Sequence, residues 1–520
     1  MIPGNNPIER YKAEKDGLDI LEEIEELAAQ HGGWETMNPG DRERLKWVGA
    51  FFRKPTPGLF MLRVRITNGQ ATSVQLRALA EVARCLGNGV LDLTTRQQIQ
   101  LRAIRIKDVP DIIQALQGID LSSLQTGMDN VRNVNCCPLA GLTAAELFDA
   151  SPVGAEYTRI FLSNKAFTNL PRKFNVTITG CLENCTHSDT QDIGMTPAVR
   201  QSDGKPGFNV AVGGKMGSGG MTVAQPLDVF VEPQDAARLA AEITLLFRDE
   251  GFRGPRTKAR MAFLIQAWGI NRFRATLEGR WGTPLEKAQR DARRTSKTDH
   301  LGVHAQRRPG LFSVGLCVPT GRISSEQLEE LARLAETYGT GQVRLTTSQN
   351  AIIVNVAEAK APMLLAEPLL KALPPDPHPF YRGLVTCTGT DYCNLALIET
   401  KGIGGRLAAA MAKQFPNGVP VTMHWSGCPA GCGNHQAADI GFQGAKARIN
   451  GEVADAVSIF VGGRSGADSR PGQKIMELVP VDMLGEVVPV ILRNLDTLRN
   501  LRSDREAETR VLMVPAVSRA

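Results

Sequence analysis

Four cysteines in the C-terminal half stand as two close pairs. The stretch VTCTGTDYC holds Cys387 and Cys393, and GCPAGCGNH holds Cys428 and Cys432, giving C-x5-C, 34 residues, then C-x3-C. Four thiolates suit the soft, electron-rich iron of an iron–sulfur cluster. Structural zinc favours two to four intervening residues in both pairs, and the first pair departs from that. Disulfides are disfavoured if the chain works in a reducing compartment. Inert core cysteines account for one or two such residues, but poorly for two pairs flanked by glycine and proline. Pro429 and Gly431 keep the second pair out of regular helix, so its backbone can come close to a cluster. The following run NLALIETKGIGGRLAAAMAKQF predicts a helix opened by Cys393, with its free N–H groups turned to the anionic centre.

These pairs sit in a chain that contains itself twice. Residues 58–97 and 310–349 align without a gap at a shift of 252, with 16 of 40 positions identical. Further matches pair Cys137 with Cys393, the run Cys181-x3-Cys185 with Cys428-x3-Cys432, and Asp192-Ile-Gly with Asp439-Ile-Gly. Two related halves of about 250 residues, packed about a pseudo-two-fold axis, are therefore expected. Within each half the local pattern is α/β. LFMLRVRI alternates as a strand, SVQLRALAEVARCLG has helical spacing, VLDLTTRQQIQLRAI reads as a strand again, and VPDIIQALQG as a second helix. That order suits a small open sheet with helices on one face. The polar stretch 279–309 is read as the connector.

Comparing the copies shows where they diverge. Arg63 stands opposite Gly315, Arg96 opposite Ser348, and Arg132 falls near the place of Cys387. The first half has gained cations where the second has small residues or ligands. Lacking a partner for Cys387, its Cys137, Cys181 and Cys185 are read as relics of a second cluster site, with one cluster per chain.

The four-cysteine signature together with the duplication resembles the nitrite and sulfite reductases that couple siroheme to a [4Fe–4S] cluster, over roughly residues 7–500. The resemblance implies an α/β (α+β) fold of two pseudo-two-fold-related halves, each with a ferredoxin-like small sheet unit and a larger cofactor-binding domain. The implied boundaries are 1–57 for an N-terminal helical extension, 58–125 and 310–375 for the ferredoxin-like units, 126–278 for a siroheme and substrate domain, 376–510 for a cluster and siroheme domain, and 511–520 for a tail. Cys387, Cys393, Cys428 and Cys432 would hold the cluster, with Cys432 also bridging to the siroheme iron. Arg63, Arg96, Arg132 and Lys173 would meet the carboxylates of siroheme and the substrate anion, to which arginine is well matched. Lys173-Phe174-Asn175 resembles the nitrite-type Lys-x-Asn rather than the sulfite-type Lys-x-Lys. LQTGMDNVRN and the LGVH at 301–304 lean the same way. Arg63, Arg132, Lys173 and Asn175 thus form the expected catalytic set for the six-electron reduction of nitrite to ammonia. The alternatives are a sulfite reductase of the same architecture, a non-catalytic protein that binds siroheme and the cluster, and a non-haem iron–sulfur relative.

The bulk properties set limits on partners. A net charge of +6 and a pI near 8.8 are mildly basic, short of a nucleic-acid profile, and suit an acidic protein or an anionic ligand. No run of eighteen apolar residues predicts a membrane span. The N-terminus lacks an apolar signal core and is too acidic for a transit peptide, which points to the cytoplasm. No G-x-G-x-x-G lies between a strand and a helix, and Lys401-Gly402-Ile403-Gly404-Gly405 is read as close packing. Electrons would therefore come from another protein, which the resemblance implies is ferredoxin, acting transiently on a monomer.

Overall fold

The structure, a computed structural model, describes residues 6–29, 37–217, 219–449, 451–466 and 468–499. Among the described residues, twenty strands form four five-stranded sheets. In the first half they are β1 (Ala50–Phe52), β2 (Leu59–Val64), β3 (Gln70–Thr72), β4 (Val90–Leu93), β5 (Ile99–Arg105), β6 (Val176–Ile178), β7 (Ile193–Val199), β8 (Pro206–Val212), β9 (Gln225–Val231) and β10 (Arg290–Asp291). The second half contributes β11 (Gly302–Ala305), β12 (Leu311–Leu316), β13 (Arg322–Ser324), β14 (Gln342–Leu345), β15 (Ala351–Ala357), β16 (Leu384–Thr386), β17 (Met423–Ser426), β18 (Ile440–Ile449), β19 (Glu452–Val461) and β20 (Gln473–Pro480).

The two small sheets exchange their edges. One runs β1-β2-β5-β4-β13 and the other β11-β12-β15-β14-β3, so each half completes the sheet of its relative. The registers repeat across the axis. Ile323 faces Leu91 while Ala71 faces Val343, and Arg322 faces Asp92 while Gln70 faces Arg344. Each exchanged strand runs into a helix fixed by a capping box, Thr72 with Gln75 for Ser73–Leu86 and Ser324 with Gln327 for Ser325–Tyr338. These helices pack side by side, and their ion pairs repeat as in an isologous interface: Arg77 with Glu336 at 2.6 Å, and Arg84 with Glu329 at 3.0 Å. One core takes in both units, from Leu76 and Leu79 to Leu328 and Leu331. The expected small sheet within each half is thus a sheet shared between halves.

Two further readings change in detail. VLDLTTRQQIQLRAI is a hairpin, not one strand, because Thr94 Oγ1 accepts from the N–H groups of Arg96 and Gln98, and Gln97 takes a left-handed φ of 56°. The tip carries Thr95 and Arg96. The segment 279–309 is also more than a tether. It begins inside the helix Ile270–Trp281, pairs as β10 with β7, and ends in β11. In the same way β1 lies within 1–57, behind the helices Pro7–Glu14 and Ile20–Ala29, and pairs with β2. The stretch 511–520 lies outside the described residues.

The larger units each have their own core and sheet. The first is β10-β7-β8-β9 with β6 parallel to β7; the second is β16-β17-β18-β19-β20, parallel across β16, β17 and β18. The strand β16 has only bridges as its counterpart, from Val131 to Phe174 and from Asn135 to Thr177.

Candidate functional site

A cleft lies between the first small sheet and the cysteine loops of the second half. Cys387 follows β16 directly, Cys393 stands in the next turn, and Cys428 and Cys432 lie on the loop that leaves β17. That loop requires glycine at 431, where φ is +68° and an added Cβ would lie 3.2 Å from the backbone of Gly217. Among the described residues, no three of these four thiols bring their sulfurs within 4.8 Å of one another. They are spread too widely for one ion. Burial pushes the Cys387 thiol up to about 11 and that of Cys428 to about 12, so each needs a bound metal to stay a thiolate. Gly427 N–H donates to Cys387 Sγ at 3.1 Å, a contact that favours the charged sulfur.

The predicted helix after Cys393 begins only at Lys401. Glu399 takes its first free N–H groups, accepting from Gly402 and Ile403 at 2.8 Å each. Those donors therefore serve a side-chain cap and not the cysteines. Gly404 is the close-packing glycine expected: a Cβ there would meet Thr386 at 3.1 Å and Trp425 at 3.3 Å.

Cations converge on the cleft from the first half. Arg63 reaches in from β2, and Arg96 from the hairpin tip. Arg63 and Arg132 both donate to the carbonyl of Thr126, which sets the two guanidinium groups side by side. Arg96 Nε donates to Asn175 Oδ1 at 3.2 Å. Asn175 is itself held by its backbone N–H on Asp192 Oδ2 at 2.8 Å. Burial, then repulsion from Arg53 and Arg96, pushes Arg63 down to about 9. Burial followed by Arg63 and Arg96 lowers Arg132, and burial followed by Arg96 and Arg260 lowers Lys173. The sulfur of Cys432 pulls the other way on Arg63, Arg96 and Lys173. So many cations, Arg132 buried and the others half-buried, stand together at a cost unless an anion lies among them.

Sequence reasoning missed several residues here. Arg53 lines the cleft, and its Nε has no hydrogen-bond partner; the buried Gln98 Nε2, also on the lining, has none either. Asp92 anchors a buried cluster in which it accepts from Arg102 Nε at 2.9 Å and Arg322 Nε at 3.0 Å, with Lys401 at 3.6 Å. Burial works to raise the Asp92 carboxyl, but Lys401, Arg102 and Arg322 hold it well below the usual range. The repeat carried a signal for two of them, since Asp92 stands opposite Arg344 and Arg102 opposite Val354.

The chain matches the nitrite and sulphite reductase 4Fe-4S domain over residues 127–285 and 379–511, and the nitrite/sulfite reductase ferredoxin-like half domain over 52–119 and 304–370. It belongs to the nitrite and sulfite reductase family. Among its relatives, a ferredoxin–nitrite reductase of Synechococcus elongatus is 46% identical over 94% of this chain and 96% of that protein. A chloroplastic ferredoxin–nitrite reductase of Spinacia oleracea is 40% identical over 94% of this chain and 85% of its own. The solved structure of the Mycobacterium tuberculosis NirA protein superposes with a TM-score of 0.89 at 29% identity, covering 97% of this chain and 95% of that one.

The residues present fit the family's cofactors. The spread of the four sulfurs and the N–H donor on Cys387 suit a [4Fe–4S] cluster. The crowded guanidinium groups and the unpartnered donors of Arg53 and Gln98 suit the carboxylates of siroheme.

Proposed function

We propose that this chain reduces nitrite to ammonia with electrons from ferredoxin. The observation that carries the reading is the set of half-buried cations, Arg63, Arg96 and Lys173, gathered around the Cys432 sulfur, next to three more cysteines. Cys387, Cys393, Cys428 and Cys432 would hold the cluster, with Cys432 shared with siroheme. Siroheme and the cluster, when bound, would supply the redox chemistry, binding nitrite and passing electrons one at a time. Arg53 and Arg96, on the cleft lining, would bind the siroheme carboxylates. Arg63, Arg132 and Lys173 balance the substrate anion and hold protons for the oxygens that leave as water. Burial and mutual repulsion loosen the protons of Arg63 and Lys173, which favours their release as charge builds on substrate. Nitrogen passes from +3 to −3, and six electrons must arrive before ammonia leaves.

The choice of nitrite over sulfite rests on Asn175. Its Oδ1 is taken by Arg96, which leaves the amide Nδ2 to donate to a monoanion. A dianion gains more from a second cation at that place. Ferredoxin would dock transiently, drawn by the basic balance of the chain and weakened by salt. The enzyme would act as a cytoplasmic monomer; among the described residues no helix is long and apolar enough to cross a membrane. The test is the absorption spectrum and iron content of the purified chain, followed by turnover of nitrite and sulfite with reduced ferredoxin. Siroheme bands, with faster turnover of nitrite, are expected. Their absence, or a preference for sulfite, would reject the reading.

A further inference from the structure

A second group of sulfur ligands lies in the first half, outside the cleft. Cys137 comes from the loop after the Asn135 bridge, Cys181 and Cys185 from the turn after β6, and His300 from the segment entering β11. The ligand atoms of Cys137, Cys185 and His300 all lie within 4.8 Å of one another, with 3.9 Å from Cys137 Sγ to His300 Nε2. Cys181 stands beside this trio, close enough for its thiol to interact with those of Cys137 and Cys185, with its sulfur outside the 4.8 Å group. All four side chains are buried, at 0%, 1%, 5% and 5% exposure for Cys137, Cys181, Cys185 and His300.

The chain makes room for this meeting. An added Cβ on Gly315 would lie 1.8 Å from the carbonyl oxygen of His300, so any side chain there would expel the segment that carries the imidazole. The position opposite in the repeat is Arg63. Glu183 N–H donates to Cys181 Sγ at 3.4 Å, and Thr347 Oγ1 holds the carbonyl of Cys185 at 3.0 Å. Lys297 lines the same cavity as Cys185, and its positive charge is within reach of that sulfur.

We infer that Cys137, Cys185 and His300 bind one zinc ion and that Cys181 turns its thiol inward as the fourth ligand when the ion arrives, a closed site that ties the connector to the first half. Size separates this from an iron–sulfur cluster. A tetrahedral ion with Zn–S bonds of about 2.3 Å holds its ligand atoms about 3.8 Å apart, whereas the irons of a cubane push its thiolates wider. Cys181-x3-Cys185 has the spacing of structural zinc, and three thiolates with an imidazole form one of its usual ligand sets. Four protein ligands leave no open position, so the role is structural. Three thiolates around a dication leave one negative charge, which Lys297 offsets.

The test is metal analysis of the full-length holoenzyme after dialysis against a chelator. About one zinc per chain is expected beside about five irons, four in the cluster and one in siroheme. Zinc-edge X-ray absorption should show three sulfurs near about 2.3 Å and one nitrogen near about 2.0 Å. His300→Ala and Cys185→Ser should each lose the zinc and keep the siroheme bands. Wild-type protein without zinc would overturn the site, as would a second cluster's worth of iron or a single extra iron in place of zinc. Zinc retained in both variants would place it elsewhere. Should the variants fail to fold, the wild-type zinc content and absorption spectrum decide alone.

Discussion

The two halves hold their sulfur differently on the same duplicated frame. In the second half the thiols are spread around an open cleft, and Cys432 is exposed to it. In the first half the sulfurs are buried and crowded with an imidazole inside a core. The local spacing is the same, C-x3-C in each, so the motif alone does not decide which kind of site forms. What differs is the rest of the set. Cys387 adds a thiol at the end of β16; the first half has Arg132 near that place, with its guanidinium turned to the carbonyls of Thr126 and Met128 among the cations. The first half draws its fourth ligand from the connector instead. A duplicated site thus diverged by losing one ligand and recruiting another from far along the chain.

The sharpest contrast between the halves should come from Cys432→Ser. Losing a ligand shared by both cofactors should lower nitrite turnover by more than about 100-fold, beyond the usual cost of an outer-shell partner. Electron paramagnetic resonance should show the cluster and siroheme uncoupled or lost. Normal spectra with normal turnover would remove the bridging role. Next in size is the pair Cys393→Ala and Cys181→Ala. The first should lose the cluster iron and the second should keep it, as read by iron per chain. Equal iron loss in both would overturn the assignment of the cluster to the second half alone.

A smaller effect is expected at the buried charges beneath the cleft. Asp92→Asn leaves Arg102, Arg322 and Lys401 without their common anion and should cost about 3–5 kcal/mol in denaturant unfolding. Because those charges hold the folded carboxyl below its ordinary value, its stabilising contribution is complete above about pH 4. It fades as pH falls toward the folded value, so the gap between wild type and variant should be level at neutral pH and narrow in acid. A gap that widens in acid would contradict the assignment. The mildest change is Asn175→Lys. Next to Arg96 it adds the cation that a dianion needs, and the sulfite-to-nitrite ratio of kcat/KM should rise about 10-fold. A ratio that stays level, with normal cofactor content, would remove the basis for choosing nitrite.

Much of this was legible in the chain. The duplication appears directly as sequence identity, and Cys387, Cys393, Cys428 and Cys432 meet at one cleft with Arg63 and Arg96. The strand exchange was not visible, because β3 and β13 are three residues each and their partners lie far along the chain. Such short runs show no periodicity. The apolar spacing after Cys393 continues upstream of the helix, while the helix start is set by the cap from Glu399. His300 gave no local signal: it is one histidine in a polar stretch, and its meaning comes from where β11 carries it. Asp92 and Arg102 do differ from their copies, Arg344 and Val354, but a carboxylate and a guanidinium ten residues apart show their pairing only once β4 and β5 lie side by side.

The exchanged edge also sets the order in which the chain can be finished as it is made. β4 ends at Leu93, and its partner β13 arrives only with residues 322–324. At about 5–20 residues per second, the growing chain waits roughly 10–50 s with that edge unpaired. Asp92 is then a charge on an open strand, and such a charge keeps an edge from pairing with neighbouring chains on the ribosome. When β13 arrives, Arg322 meets that same carboxylate, and the group that guarded the edge becomes the ion pair that closes it.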